Sequence, residues 1–387
     1  MNILEVVEAC AAGVGRHVQG LCRGLVAAGQ RITVAYAPGR LDESFRQFML
    51  EQRGNIRFVS LNLKREVSPV SDLQGVVRLM RLIDREGPFD IVHGHSAKGG
   101  AIARIAGRWF GLPTVYTPHG LVIATPGIPR GEAAVYTWIE RFLGHWATSK
   151  VVAVSEDERQ FILRRGLTSK ERTALISNGI EGELFESFSK IEVSTEPVDS
   201  DRPLTFGALM RFSPEKNPVL LVEAFSRLNQ ELPQLPMQLV IAGDGELFGE
   251  VKRRVETGAV EGSISLPGWT TDITKMLQGF DVYVLSSLSE GGSYAVVEAM
   301  AAKLPIVSTD VFGTKETIGQ VAGNVRVPRG DADALAAGMK RMATVADAIA
   351  VRQALQQTGL TNHNYASAHF SESETVRRTL GLYRTLR

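Results

Sequence analysis

The chain has 387 residues, more than one ordinary hydrophobic core organises, so two domains are expected. Its composition, 44% hydrophobic and 22% charged with a formal net charge of +1, is that of a globular protein, and it excludes the broad basic field of a nucleic-acid binder. No stretch reaches the roughly 18 to 20 uninterrupted apolar residues of a spanning helix, and two cysteines, Cys10 and Cys22, make neither a disulfide framework nor a zinc motif.

The first segment, "MNILEVVEACAAGVG", lacks a cationic start and carries Glu5 and Glu8, so it reads as a strand and not as a signal peptide. Together with the cysteine usage this suggests a cytoplasmic protein. Further strands are expected at 32–36, 56–61, 91–93, 114–116 and 151–154. Amphipathic helical patterns separate them, as at 14–28 and 73–85. Strands that are apolar nearly throughout, with helices between, imply parallel sheets covered on both faces. At 186–203 the pattern lapses into "ESFSKIEVSTEPVDSDRP", the best linker candidate. Alternation restarts with strands at 204–209, 238–242, 263–266, 281–285 and 306–308 and a helix at 218–230. The fold class is therefore α/β with two doubly wound, Rossmann-like domains. The expected boundaries are 1–185, a linker at 186–203, 204–370, and a terminal helix at 371–387 returning to the first domain.

Ligands of such sheets sit at loops beyond the strands' carboxyl ends. In "ACAAGVGRHV", Gly13 and Gly15 open a helix whose N-terminus suits an anion, although Val18 breaks the dinucleotide G-x-G-x-x-G pattern. "GALMRFSPEKNP" sets Arg211 and Lys216 around a helix start signalled by Ser213 and Pro214. They are either two solvated surface cations or a diphosphate clamp, charge-assisted bonds then adding to the helix dipole. "YTPHGL" puts His119 directly after a strand, as a structural or a catalytic histidine. In "HGHS", His93 and His95 are an i, i+2 pair without further ligands at metal-site spacing. A turn is expected there, with His95 and Lys98 facing a cleft. Two D-x-D strings, Asp199–Asp201 in the linker and Asp331–Asp333, follow no strand, and Asp331 suits a helix N-cap. No metal and no other cofactor is expected.

With these loops in order, the chain resembles the retaining glycosyltransferases of the GT-B fold, in the large family 4 group. The resemblance rests on "GVGRHV", "TPHG", "NGI" at 178–180, Arg211 with Lys216, "GDGE" at 243–246, and "EGGSYAVVE" at 290–298. It implies that two Rossmann-like domains face a central cleft. It also implies that Glu290 faces the hydroxyls of a donor sugar, while Glu298 accepts from the nucleotide ribose. Backbone amides of Gly292, Ser293, Tyr294 and Ala295 would approach the diphosphate, Arg211 and Lys216 would neutralise it, His119 would contact the sugar, and the Gly13–Gly15 loop would cover the reacting centre. The chain departs from many members in having Gly292 and Ser293 after "EG", which is closer to those that build exopolysaccharide, capsule or O-antigen. It also has Ala12 where a further glycine is common.

The reaction implied is sugar transfer from a nucleotide-diphosphate-sugar to a glycan or lipid-linked acceptor, with retained anomeric configuration. A phosphorylase, a nucleotide-sugar epimerase or a non-catalytic nucleotide-sugar-binding module on the same scaffold are the rivals. Arg16, His95, Lys98, Arg130 and Arg141 are acceptor-side candidates. The segment 127–150 contains a helix carrying Val135, Trp138, Ile139, Phe142, Leu143 and Trp146. That helix either packs inward or lies peripherally on the inner face of the cell membrane, presenting a lipid-linked acceptor.

Overall fold

In the computed structural model the described residues are 1–63, 68–192, 202–258, 262–344 and 348–387. The chain begins β1 (Asn2–Val7), α1 (Ala12–Ala27), β2 (Arg31–Tyr36), α2 (Glu43–Gln52), β3 (Ile56–Ser60), α3 (Pro69–Glu86), β4 (Ile91–His95) and α4 (Ala97–Trp109). It continues with β5 (Thr114–Thr117), α5 (Arg130–Trp146), β6 (Lys150–Ala153), α6 (Glu156–Arg164), β7 (Thr173–Leu175) and α7 (Gly182–Ser189). Then come β8 (Leu204–Leu209), α8 (Pro218–Glu231), β9 (Met237–Ala242), α9 (Phe248–Glu256), β10 (Ile264–Gly268), α10 (Ile273–Gln278) and β11 (Val282–Leu285). The last elements are α11 (Tyr294–Ala301), β12 (Ile306–Thr309), β13 (Val325–Val327), α12 (Ala332–Ala343), α13 (Ala348–His369) and α14 (Glu372–Arg384).

Two compact units result. Met1–Gly179 and Glu372–Arg387 make the first, Ile180–Ser371 the second. The first unit's sheet has the order β3-β2-β1-β4-β5-β6-β7, with every pairing parallel. The second unit's sheet has the order β10-β9-β8-β11-β12-β13, again all parallel. These are two doubly wound α/β sheets of Rossmann type. In each, strand order reverses once, between β1 and β4 and between β8 and β11. Such a reversal opens a crevice at the carboxyl ends of the two strands, where bound ligands are found.

Burial explains the strands' composition. Ile3, Leu4, Val6 and Val7 of β1 are all fully buried, because helices cover both faces of the sheet. One face packs against α1, α2 and α14 through Val18, Leu21, Leu25, Phe45 and Leu380; the other packs against α3 and α4 through Leu79, Ile83 and Ile102. α14 sits close to α1 because Gly20 and Gly24 carry no side chain there. A methyl group at Gly24 would press into Val376, and one at Gly20 into the Glu372 carboxylate.

The structure corrects two expectations about these elements. α7 covers 186–189, assigned above to the linker, because Leu184, Phe185 and Phe188 pack into the second unit's core. Asp199 and Asp201 lie outside the described residues. β4 runs through His95, so "HGHS" continues a strand in place of a turn. Two edge strands, β7 and β13, were missed. Each is only three residues long, and β13 is interrupted by the exposed Arg326, which an edge tolerates.

Candidate active site

In the second unit the loops following β8 and β11 meet at the strand-order reversal. Lys216 Nζ donates to Glu290 Oε1 at 2.6 Å, and the Ser287 hydroxyl donates to the same oxygen at 2.7 Å. The Ser286 hydroxyl donates to the Lys216 carbonyl at 2.9 Å, and the Leu288 N–H donates to the Glu215 carbonyl at 2.8 Å. Arg211 pairs with Glu215, a residue sequence reasoning passed over although it stands at i+4 from the arginine. Ser213 and Pro214 form a turn and not the expected helix start. Asn217, at φ +49, caps α8 by accepting from the Leu220 N–H, and Pro218 opens the helix.

The "GDGE" motif positions that cation-bearing loop. Gly243 and Gly245 have φ of +145 and +152, and a Cβ at either would collide with the backbone of Met210 or Phe212. Their absent side chains let Met210 N–H donate to Ala242 O at 3.0 Å and Phe212 N–H donate to Asp244 O at 2.9 Å. Arg211 is therefore clamped between two fixed neighbours.

α11 begins at Tyr294, and Ser293 does not cap it with its side chain. Gly292, Ser293, Tyr294 and Ala295 are half-buried around this N-terminus, where backbone N–H groups and the helix dipole favour an anion. Glu298, on the same helix, is 2% exposed, and Glu290 is nearly buried in the preceding loop. Both carboxylates act on Tyr283: burial raises its phenol well above the ordinary range, the Leu209 carbonyl opposes this, and the charges of Glu298 and Glu290 raise it further. Asp331 caps α12 by accepting from the Ala334 N–H at 2.9 Å, and Asp333 pairs with Arg227.

The first unit gathers four histidines. Parallel register sets Glu5 beside His93 and His95 beside Thr117, and the two-residue alternation of strands turns these side chains to one face. Tyr383 from α14 and His17 from α1 complete the cluster. His95 Nε2 bonds Glu5 Oε2 at 2.8 Å, and His95 Nδ1 bonds His119 Nε2 at 3.0 Å. His93 bonds the Tyr383 hydroxyl at 2.5 Å and Thr117 Oγ1 at 2.8 Å, while the Tyr383 hydroxyl donates to Glu5 Oε1 at 3.1 Å. His17 Nδ1 bonds Asn178 Oδ1 at 3.1 Å, and its ring meets His119 edge-on with centroids 4.6 Å apart.

Burial lowers the pKa of His17 to about 3, with His95 adding and Asn178 opposing. Burial also holds His93 and His119 well below the usual range, and their histidine neighbours lower both further. Glu5, His17 and Tyr383 escaped the sequence reading, since they come from three distant segments and only the fold unites them.

His119 itself is half-buried, at φ +57, a left-handed conformation uncommon for a non-glycine residue. Ala12 and Ser96, which follow β1 and β4, share it at +51 and +61. Gly13 and Gly15 fall in the first turn of α1, Gly15 against the Cys10 backbone. Of the acceptor-side candidates, His95 is fully buried behind His119, so the structure contradicts its direct exposure to a ligand. Lys98 bonds Asp72 at 2.8 Å, Arg16 is half-buried on α1, and Arg130 is exposed at the start of α5. Arg141, near the other end of α5, donates to the Arg165 carbonyl at 2.8 Å. On the same helix Trp138, Phe142 and Trp146 are 66%, 48% and 47% exposed and stack in a row, whereas Leu143 points inward.

These sheets define the GT-B glycosyltransferase fold. Residues 12–179 match the Glycosyl transferase 4-like domain and residues 203–344 match Glycosyl transferases group 1. The chain belongs to the glycosyltransferase family that these two domains compose. It is 29% identical over 70% of its length, and 68% of the relative's, to the UDP-Gal:alpha-D-GlcNAc-diphosphoundecaprenol alpha-1,3-galactosyltransferase of Escherichia coli. It is 22% identical to the capsular polysaccharide biosynthesis glycosyltransferase CapM of Staphylococcus aureus, over 72% of this chain and 74% of that one. Among solved structures it resembles HepE of Anabaena, crystallised with UDP and glucose, at a TM-score of 0.79 and 16% identity across 100% of both chains.

Proposed function

We propose that this glycosyltransferase moves a sugar, with retention of configuration and without a metal ion, from a nucleoside-diphosphate-sugar to a glycan or lipid-linked acceptor in polysaccharide biosynthesis. The observation that supports it most is the meeting of Arg211, Lys216 and Glu290 with the N-terminus of α11 at one strand-order reversal. The capsular role of CapM and the lipid-diphosphate acceptor named for the Escherichia coli relative support the acceptor class.

The bond from the sugar to the diphosphate breaks, and negative charge grows on the departing phosphate. Arg211, Lys216 and the α11 amides meet that charge with preorganised positive ends, so no cation is required there. Glu215 and Glu290 pair with the two cations. On binding, phosphate oxygens take over the cations, and Glu290 turns its acceptor oxygens to sugar hydroxyls. Glu298 accepts from the ribose. Asp331 and Asp333 are engaged by a helix end and by Arg227, which is consistent with metal-independent transfer.

The test is release of nucleoside diphosphate from a panel of donors, with lipid extracts as acceptors and with EDTA in parallel. Arg211→Ala and Lys216→Ala should each slow transfer about 100-fold, near 3 kcal/mol in the transition state. EDTA should leave the rate unchanged. Full activity in either variant, or a loss with EDTA that manganese restores, would defeat this reading. Interconversion of donor alone, with no acceptor present, would indicate an epimerase instead.

A further inference from the structure

We propose that Glu5, His95 and His119 form a carboxylate–imidazole–imidazole relay, which keeps the proton of His119 on Nε2 and offers its Nδ1 lone pair to a substrate hydroxyl. Glu5 and His95 are then positioning residues, and His119 alone touches the ligand. This rests on the transfer reading above for its ligand, but the proton positions stand apart from it.

With Glu5 ionised and the histidines neutral, the bonds admit one placement of hydrogens along this chain. The Tyr383 hydroxyl spends its only proton on Glu5 Oε1, so its oxygen accepts from His93, whose Nδ1 carries the hydrogen. His93 Nε2 is then the acceptor for the Thr117 hydroxyl. Glu5 Oε2 can only accept, so His95 Nε2–H donates to it. A neutral His95 therefore has its lone pair on Nδ1, which receives the Nε2–H of His119. His17 Nδ1–H donates to Asn178. No hydrogen bond from another described residue reaches His119 Nδ1, and the half-buried ring is the outermost member of the chain. The other end is sealed, since Glu5 and His95 are fully buried and Tyr383 closes over them. The left-handed backbone of His119 is a local strain of the kind that accumulates at functional sites.

His17, His95 and His119 present nitrogens close enough together for a metal ion. With His95 Nε2 held by Glu5, ligation would take the His95 Nδ1 lone pair that receives the His119 hydrogen, so the two uses exclude one another.

Nitrogen-15 NMR of the full chain labelled at histidine reads the proton positions directly. At neutral pH the relay requires Nε2–H tautomers at His95 and His119 and Nδ1–H tautomers at His17 and His93. An Nδ1–H tautomer or an imidazolium at His119 would overturn it, as would stoichiometric zinc binding that shifts the His17, His95 and His119 signals. In the transfer assay, His95→Leu should lower kcat about 100-fold with donor KM nearly unchanged, because a misaimed group loses about that factor. His95→Gln keeps one donor and one acceptor, so it should recover most of that loss. Equal loss in both variants, with nucleoside diphosphate affinity intact, would overturn the relay. Should the wild type transfer no sugar at all, the functional reading fails while the tautomers still decide the relay.

Discussion

Glu290 and Glu298 differ in what holds them, and that difference separates their roles. Glu290 is fixed by Lys216 and Ser287 in a loop, whereas Glu298 is buried on a helix eight residues later. Glu298→Gln should weaken nucleoside diphosphate binding by about 1.5 to 3 kcal/mol for each charge-assisted bond to the ribose. Glu290→Gln should leave that affinity undiminished, because the ligand has no sugar and Lys216 is freed for phosphate, yet transfer should slow. Calorimetry alongside rate measurements decides this, and equal weakening in both variants would refute the division. The spacing of the two glutamates was readable in the sequence. Their partners were not, because Lys216 lies 74 residues from Glu290 and only the adjacency of β8 and β11 joins them.

At the scale of elements, α5 presents an exposed aromatic face. Its Trp138, Phe142 and Trp146 lie in the open beside Arg108 and Arg141, with the Arg108 guanidinium 5.7 Å from the Trp146 ring centre. Aromatic rings flanked by arginines suit the headgroup layer of an anionic membrane. No helix among the described residues is long and apolar enough to cross a membrane, so contact through this face would be peripheral. The chain should float with phosphatidylglycerol vesicles and release at high salt. Trp138→Ser with Phe142→Ser should weaken the association about 100-fold, each ring contributing about 1.5 kcal/mol. Equal flotation of the double variant would dismiss the membrane role. Sequence periodicity located this helix but could not orient it, since six apolar residues on overlapping faces fit an inward or an outward reading. The regular strands were easier to find, because burial on both faces makes their composition nearly uniform.

Over the whole molecule, buried histidines tie stability to acidity. His17, His93 and His119 have native pKa values below that of an unfolded histidine, about 6.5. The unfolded chain therefore takes up protons first as pH falls below about 6.5. The stabilisation is complete above that value and is lost progressively towards the native pKa, near 3 for His17. Each histidine contributes up to about 1.4 kcal/mol per pH unit in this window. Urea midpoints should drop between pH 7.5 and pH 5.5, and less steeply in His17→Gln. A midpoint that is flat or rises over this range would contradict the neutral cluster.

The return of α14 to the first unit also imposes an order on synthesis. The segment 180–371 is continuous and can complete its sheet as it is made, whereas the first unit waits for its last strip of chain. Until Tyr383 is translated, Glu5 lacks one of its hydrogen-bond donors, although it is made 378 residues earlier. A chain cut between 371 and 372 would keep the continuous second unit whole and leave the histidine network without Tyr383.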